Sequence, residues 1–326
     1  MARLSVVLPA YNEEAMLLKA AETLKNILEK EKIDYQLVFV DDGSKDSPWA
    51  QIGEAARRDP HVTGIHFSRN FGKEAAIFAG LANAEGDCVA VMDCDLQHPP
   101  QTLVQMYRLW EQGYEVVEGV KHSRGKESAL HRASAGMFYK IMSSATKIDM
   151  SRASDFKLMD RRAVDSLLEM PERNAFFRAM SSWIGYRSTT VEFDVQEREA
   201  GESKWSTRSL IKYAITNIVG YSSAPMQVVT GAGVIVFLIA VILGIQTLVK
   251  YFCGHAVEGF TTVILLLLFM GSVIMISLGI IGYYISRIYE EVKGRPRYII
   301  SKKIQGRDGM NREVKNDNKK DPEVEQ

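Results

Sequence analysis

The stretch DCVAVMDCDLQ, residues 87–97, contains an apolar run followed by two carboxylates and an amide. A short apolar run bounded by turn residues is typical of a strand buried on both faces. Three similar runs precede it, each separated from the next by a helical pattern. The predicted strands are 4–10, 36–44, 62–68 and 87–95, and the predicted helices are 13–32, 47–58 and 73–84. This alternation predicts a mostly parallel α/β sheet covered by helices.

Polar side chains follow the ends of the predicted strands. They include Tyr11, Glu13, Asp41, Asp42, Asp93 and Asp95. Sheets of this class bind their ligands beyond the carboxyl ends of the strands, so these residues mark the candidate site. Several carboxylates in one crevice repel each other unless a cation joins them, and this arrangement therefore points to a positively charged partner.

Asp93, Asp95 and Gln97 are spaced so that, in an extended segment, their side chains point to one side. Three oxygen ligands suit a hard cation, Mg²⁺ or Mn²⁺, which also takes phosphate oxygens and would neutralise a diphosphate. A solvated acidic loop is the alternative. The chain has neither G-x-x-x-x-G-K-[ST] nor G-x-G-x-x-G after a strand, which argues against P-loop and dinucleotide cradles.

Two long runs in the C-terminal part, 213–249 and 259–286, contain no Asp, Glu, Lys or Arg. Each is long enough for a helix that crosses a bilayer core, which needs roughly 20 apolar residues. Two buried helices of a soluble core are the alternative. Basic residues lie before the first run and after the second, whereas the connecting segment 250–258 has only Lys250. By the positive-inside rule, we expect a multi-pass protein of the cell membrane with both termini in the cytoplasm.

Composition excludes several classes of protein. The 326 residues are 46% hydrophobic and 25% charged, which is an ordinary globular balance and not that of a disordered or collagen-like chain. The 40 basic and 40 acidic residues cancel, so no nucleic-acid partner is expected from bulk charge. Cys88, Cys94 and Cys253 form neither a metal-type pair nor an even disulfide set.

Six segments, in this order, resemble the signature segments of glycosyltransferase family 2, and in particular its polyisoprenyl-phosphate glycosyltransferase branch. They are VVLPAYNEE (6–14), VDDGS (40–44), SRNFGKEAA (68–76), MDCDLQHPP (92–100), SDFKLMDRR (154–162) and GESKWS (201–206). That branch includes bacterial undecaprenyl-phosphate glucosyltransferases and dolichol-phosphate mannose synthases. The resemblance implies a Rossmann-like catalytic domain of the GT-A type and inverting, metal-dependent transfer from a nucleotide sugar to a lipid phosphate.

The resemblance also implies site residues. The nucleotide pocket would be formed by Pro9, Tyr11, Glu13 and Asp41, with Asp42 beside them. Asp93 would reach the ribose or the metal, and Asp95 with Gln97 would hold the metal and the diphosphate. Asp155 would act at the acceptor, and the phosphates would be met by Arg198, Ser203 and Lys204. The Q-x-x-R-W signature of processive synthases is absent, which favours transfer of a single sugar.

The chemistry of the acceptor adds further candidates. A phosphate monoester has a second pKa of about 6 and is largely dianionic at neutral pH, so it needs cations more than a base. Arg124, Arg132, Arg198 and Lys204 are candidates for the acceptor phosphate, with ordinary surface or headgroup charge as the alternative. Lys73 is a candidate for the donor. Asp155 would orient the acceptor or take up a residual proton.

The predicted organisation has five parts. They are a cytoplasmic GT-A catalytic domain over 1–204, an interfacial amphipathic helix region over 205–226, a transmembrane hairpin over 227–287, a cytoplasmic juxtamembrane segment over 288–305 and a disordered tail over 306–326. A simple lead-in to the first span is the alternative for the amphipathic region. Small residues in the two spans suggest a homo-oligomer.

The expected reaction transfers glucose from UDP-glucose to undecaprenyl phosphate in the membrane. The alternatives are another donor (UDP-GlcNAc, a UDP-aminoarabinose derivative, or GDP-mannose with dolichyl phosphate) and an inactive membrane-anchored scaffold that binds a nucleotide sugar. A linear motif does not record the hydroxyl contacts that select the sugar.

Overall fold

The computed structural model describes residues 2–121, 143, 154–172, 176–194, 224–253 and 259–306. It contains an α/β unit, which includes residues 296–306, and a helical unit that lies mainly within 205–295. Several predicted features lie outside the described residues: the side chains Arg124, Arg132, Arg198, Ser203 and Lys204, most of the amphipathic region and the tail after residue 306.

The α/β unit has eight described strands in one sheet. They are β1 (Arg3–Ala10), β2 (Asp34–Asp41), β3 (Val62–Phe67), β4 (Cys88–Val91), β5 (Val116–Lys121), β6 (Lys157–Asp160), β7 (Ser188–Phe193) and β8 (Ile300–Gln305). The helices of this unit are α1 (Glu14–Lys30), α2 (Pro48–Arg58), α3 (Lys73–Asn83), α4 (Pro100–Glu111), α5 (Arg161–Glu169) and α6 (Phe177–Trp183). The seven elements predicted over residues 4–95 are all present.

The strand order is β7-β5-β6-β4-β1-β2-β3-β8. β1 pairs in parallel with β2 and β4, β2 pairs in parallel with β3, and β5 pairs in parallel with β7. β6 lies antiparallel between β4 and β5, and β8 is antiparallel to β3. This is the mostly parallel α/β class that the sequence predicts. The order reverses at β1, so the crevice between the ends of β1 and β4 is a topological switch point.

Helix α3 packs closely on the sheet and carries Lys73 and Glu74 in its first turn. The close approach depends on Gly80, where a Cβ atom would overlap the side chain of Val7 on β1. Gly72 precedes the helix with a φ of 102°, a conformation that favours glycine, and it turns the chain from the β3 end into α3. The position of Lys73 is therefore set by the packing of α3 on β1.

The edge strand β8 is a feature that the sequence does not predict. Residues 300–305 fall in the predicted juxtamembrane segment, yet they pair with β3 from Thr63 to Phe67. Tyr298 stacks on Phe67 with ring centroids 5.2 Å apart, and Arg297 donates to the backbone carbonyl of Met170. Residues 296–306 are thus part of the α/β unit.

The helical unit contains α7 (Ala224–Phe252) and α8 (Phe260–Val292). Within them, Pro225–Lys250 and Leu266–Val292, of 26 and 27 residues, are long and apolar enough to cross a membrane. Their large apolar side chains, including Phe237, Ile242 and Met275, are exposed, which is the pattern of helices that face lipid. The two long helices predicted from the uncharged runs are confirmed.

The packing of α3 gives a prediction with a matched control. Gly80→Ala should lower the free energy of unfolding by about 1–3 kcal/mol, because the new methyl group overpacks α3 against Val7. Gly53→Ala in α2 should raise it by up to about 1 kcal/mol, because its Cβ would meet only the end of the Arg57 side chain at 3.9 Å. Denaturant unfolding of the full chain in detergent measures both changes. Equal effects of the two substitutions would contradict this account.

Candidate active site

The ends of β4, β1 and β2 lie side by side at one edge of the sheet. Pro9 is buried in β1, whereas Tyr11 and Glu13, which follow it, are partly exposed. The Cys94 thiol donates to the Pro9 carbonyl at 3.4 Å and ties the segment after β4 to β1. The structure therefore brings the predicted residues after β1 and β4 to a common edge.

Asp41 and Asp42 are buried at the end of β2, and their carboxylates organise loops. Asp41 accepts from the Ser44 amide at 3.0 Å, and its other oxygen lies 2.6 Å from His66 Nδ1. Asp42 accepts from the amides of Phe71 and Gly72 at 2.6 and 2.9 Å, which fixes the loop that leads into α3. Burial raises the pKa of the Asp42 carboxyl against the effect of these amides. Direct contact of the two aspartates with a nucleotide stays a prediction.

The segment from Asp93 to Gln97 is a turn, so the expectation of an extended conformation is wrong. β4 ends at Val91, and Leu96 has a φ of 55°. The backbone amide of Gln97 donates to the Asp95 carboxylate at 3.1 Å. The local hydrogen bond competes with continuation of the strand. Asp93, Asp95 and Gln97 are nevertheless partly exposed, and the residues between them are buried. The turn keeps the three oxygen-bearing side chains accessible.

The chemistry of these side chains fits a hard divalent cation, because two carboxylates and an amide supply oxygen ligands. No group of three or more His, Cys, Asp or Glu side chains is arranged around a metal position in the described part of the chain. Asp93 instead forms an ion pair with Lys73, and Lys73 Nζ lies 2.7 Å from Asp93 Oδ1. The candidate ligand is therefore already matched by a positive charge.

Asp155 lies beside Asp93 because of the register between β4 and β6. Val91 pairs with Lys157 in this antiparallel ladder, so the residue two positions after Val91 faces the residue two positions before Lys157. Lys73 joins the two carboxylates, with Nζ 3.1 Å from Asp155 Oδ2. The aspartates predicted for the donor side and the acceptor side thus share one ammonium group.

Arg178, on α6, holds Asp155 from the other side. Its Nε donates to Asp155 Oδ1 at 2.7 Å and its Nη2 donates to Oδ2 at 2.8 Å, which is a two-point guanidinium–carboxylate contact. Burial opposes ionisation of Asp155, but the charges of Lys73 and Arg178 outweigh it and hold the pKa of this carboxyl well below its usual range. Asp155 is therefore ionised throughout the neutral pH range, which favours a positioning role over proton uptake.

Two further contacts position α6 and hence Arg178. Glu74 accepts from the Phe177 amide at 2.9 Å. Lys157, completely buried on β6, donates to Ser181 Oγ at 2.6 Å and to Glu118 at 2.8 Å. Burial lowers the pKa of Lys157 despite the adjacent Glu118 carboxylate. Loss of one of these partners would leave the buried ammonium of Lys157 incompletely paired and would destabilise the fold. The contact between Lys157 and Ser181 therefore helps to fix the position of α6.

His98 links the turn after β4 to the segment that carries Asp155. Its ring stacks on Phe156 with centroids 4.6 Å apart and meets Phe193 edge to face at 5.3 Å. Burial lowers the pKa of His98 despite the nearby carboxylates of Asp93 and Asp95, which favours the neutral ring. These contacts give His98 a packing role between the two halves of the site.

Arg178, Glu74 and Lys157 are not among the predicted site residues, although Glu74 and Lys157 lie within the quoted segments 68–76 and 154–162. Arg178 and Glu74 lie on helices, where a single charged residue resembles ordinary surface charge. Lys157 does carry a signal, since it interrupts the apolar run of a strand in the quoted segment SDFKLMDRR. A charge at an inward position of a buried strand requires a partner.

The chain thus combines acid-lined strand ends on a mostly parallel α/β sheet with two helices that are long and apolar enough to cross a membrane. The sequence profile described as "Glycosyl transferase family 2" matches residues 5–168. The chain belongs to this family and is a glycosyltransferase. The resemblance that the six segments show is confirmed.

Relatives match over almost the whole chain. An uncharacterized glycosyltransferase, YkcC of Bacillus subtilis, is 38% identical over 91% of this chain and 93% of that protein. The SfII prophage-derived bactoprenol glucosyl transferase of Shigella flexneri is 37% identical over 93% of this chain and 99% of that protein. Glucosyl-3-phosphoglycerate synthase of Mycobacterium tuberculosis, solved with Mn²⁺ and UDP-Glc, aligns with a TM-score of 0.46 and 18% identity over 67% of this chain and 77% of that one.

Glu74 gives a pH-dependent prediction. Burial, followed by the charge of Asp155, raises the pKa of this carboxyl to about 7, while Arg178 and Lys73 act in the opposite direction. The folded state therefore binds a proton that the unfolded state releases near pH 4.5, and stability falls as pH rises from about 4.5 through 7. Glu74→Gln imitates the protonated form, so its stability relative to wild type should be higher at pH 8 than at pH 5 by about 2–3 kcal/mol.

Denaturant unfolding at the two pH values measures this gain. Glu22→Gln, at an exposed position of α1, provides the baseline for removing one carboxylate. A difference between Glu74→Gln and wild type that is the same at pH 5 and pH 8 would show that Glu74 does not titrate as described.

Proposed function

We propose that the protein transfers one sugar from a nucleotide sugar, UDP-glucose in the first instance, to a polyisoprenyl phosphate such as undecaprenyl phosphate. The observation that carries the proposal is the arrangement of Asp93 and Asp155 on either side of Lys73 at the carboxyl edge of the sheet. It brings a donor-side carboxylate and an acceptor-side carboxylate within reach of one cation. Relatives named bactoprenol glucosyl transferase support the lipid acceptor and glucose.

On the donor side, Asp93, Asp95 and Gln97 would hold Mg²⁺ or Mn²⁺ together with the diphosphate. When bound, such a cation stabilises the charge that develops on the leaving nucleoside diphosphate. Pro9, Tyr11 and Glu13 would line the base and ribose pocket. The buried carboxylates of Asp41 and Asp42 would hold its walls in place.

On the acceptor side, the lipid phosphate attacks C1 of the sugar through one of its oxygens. The new bond forms as the bond from C1 to the diphosphate breaks, with inversion at C1 and an oxocarbenium-like transition state. The dianionic phosphate needs little deprotonation, and Asp155 is held ionised, so Asp155 positions Arg178 and Lys73. These cations bring positive charge to the place where two anionic substrates meet. Arg124, Arg132, Arg198, Ser203 and Lys204 are proposed to add to this charge.

The membrane supplies the acceptor. We propose that α7 and α8 cross it, with both termini and the α/β unit on the cytoplasmic side, because basic residues flank the outer ends of the two helices. A cytoplasmic site has access to charged nucleotide sugars, which do not cross the bilayer. Self-association through the small residues of the two helices is a further proposal.

A donor screen tests the proposed reaction. Purified full-length protein is incubated with undecaprenyl phosphate, Mn²⁺ or Mg²⁺, and labelled UDP-glucose, UDP-GlcNAc, a UDP-aminoarabinose derivative or GDP-mannose, with dolichyl phosphate as a second acceptor. We expect one sugar to enter the lipid fraction, with glucose preferred and the anomeric configuration inverted. Chelation should abolish transfer and added Mn²⁺ or Mg²⁺ should restore it.

Variants sharpen the screen. Asp95→Asn should lower the rate of transfer by about 100-fold or more, because a carboxylate oxygen that faces the diphosphate site is lost. Asp34→Asn, at the exposed start of β2 and the opposite end of that strand, should leave the rate unchanged. In sealed vesicles, transfer should require a donor on the cytoplasmic face. Binding of the donor without transfer to any lipid phosphate would favour a scaffold and contradict the proposal.

A further inference from the structure

Lys73 contacts a candidate metal ligand directly. Its Nζ lies 2.7 Å from Asp93 Oδ1 and 3.1 Å from Asp155 Oδ2. We propose that Lys73 is a built-in counter-ion that holds Asp93 while the donor is absent and releases it to a divalent cation when a nucleoside diphosphate binds. This inference rests on the proposed function and deepens it, because it couples binding of the cation to binding of the nucleotide.

The two acidic partners of Lys73 differ in what remains when it moves. Asp155 keeps both contacts from Arg178, at 2.7 and 2.8 Å, so its charge stays compensated without Lys73. Asp93 forms an ion pair with Lys73, and its side chain is 32% exposed, so an incoming cation can reach it. Departure of Lys73 therefore opens Asp93 and leaves Asp155 in place.

Lys73 is also built to move. It is the first residue of α3, its side chain is 40% exposed, and it ends in a compact charge on a flexible stem. Arg178, by contrast, is fixed by two parallel hydrogen bonds and by the anchored helix α6. Of the two cations that the described residues place against Asp155, Lys73 is better able than Arg178 to exchange carboxylate oxygens for phosphate oxygens.

Electrostatics makes the exchange dependent on the nucleotide. Burial opposes the charged forms, but the pairing lowers the pKa of Asp93 and raises that of Lys73, so both are ionised at neutral pH. A divalent cation that arrives alone must displace an ammonium and then lie near it, which is unfavourable at short range. A diphosphate that arrives with the cation supplies the negative charge that both cations need. Each ligand should therefore raise the affinity of the other.

Mn²⁺ titrations measure this coupling without using activity. Full-length protein in detergent is titrated with Mn²⁺, with and without UDP, and free Mn²⁺ is followed by electron paramagnetic resonance. Lys73→Met should bind Mn²⁺ alone at least about fivefold more tightly than wild type, and the increase in Mn²⁺ affinity caused by UDP should fall by at least a similar factor. Lys73→Gln provides a second variant without the charge, in case the methionine variant does not fold.

Lys25→Met is the matched control, since it removes a lysine of α1 that pairs with Glu29 at 3.9 Å. It should leave both Mn²⁺ affinities unchanged. The inference is overturned if the folded Lys73 variants bind Mn²⁺ alone no more tightly than wild type and UDP raises their Mn²⁺ affinity as much as it does for wild type. That result would leave the proposed function standing. If wild-type protein binds no Mn²⁺ even with UDP, the metal-dependent donor site of the proposed function fails, and the inference fails with it.

Discussion

The candidate site depends on the compensation of two adjacent carboxylates by two cations. Asp93 and Asp155 reach the same edge from antiparallel neighbours, and without Lys73 and Arg178 their like charges would repel each other in a partly buried crevice. The helices that carry these cations come from different parts of the chain. α3 follows β3 in the parallel half of the sheet, whereas α6 follows β6 in the half that contains the antiparallel strand. The charge network therefore joins both halves of the α/β unit.

Much of the surrounding structure keeps these charges in place. α3 approaches β1 closely through Gly80, and Asp42 fixes the loop before it. On the other side, the buried Lys157 and the Glu74 carboxylate hold α6. Buried ion pairs often add little net stability, because desolvation offsets the attraction between the charges. Here their structural effect is positional, since they determine where the guanidinium of Arg178 lies.

The parallel half of the fold is predictable from sequence because each of its strands β1 to β4 is a short apolar run followed by a helix. The strand ends, and with them Tyr11, Glu13, Asp93 and Asp95, follow from that alternation. The half of the sheet that contains the antiparallel strand β6 cannot be predicted from such an alternation. β6 has four residues and pairs antiparallel with β4, so the proximity of Asp155 to Asp93 depends on a register between segments 66 residues apart that no local pattern records.

Local competition explains the remaining differences. The turn after Val91 includes a hydrogen bond from the Gln97 backbone amide to the Asp95 carboxylate, an interaction that alternation of polar residues does not reveal. β8 falls in the predicted juxtamembrane segment 288–305, because its sequence ISKKIQ is polar and basic, yet it forms the edge strand beside β3. Family resemblance identified Asp155, whereas the partners that determine its charge state required the structure.

A double-mutant cycle on Asp155→Asn and Arg178→Gln measures whether the charge of Asp155 depends on the guanidinium of Arg178. The two substitutions are made separately and together in the full chain, and the free energy of unfolding is measured in detergent at pH 7.5. If the two side chains act as one unit, the double variant should lose less stability than the sum of the single variants, with a coupling of about 1 kcal/mol or more. Additivity within about 0.5 kcal/mol would contradict the account, because it would mean that the charge of Asp155 does not depend on Arg178.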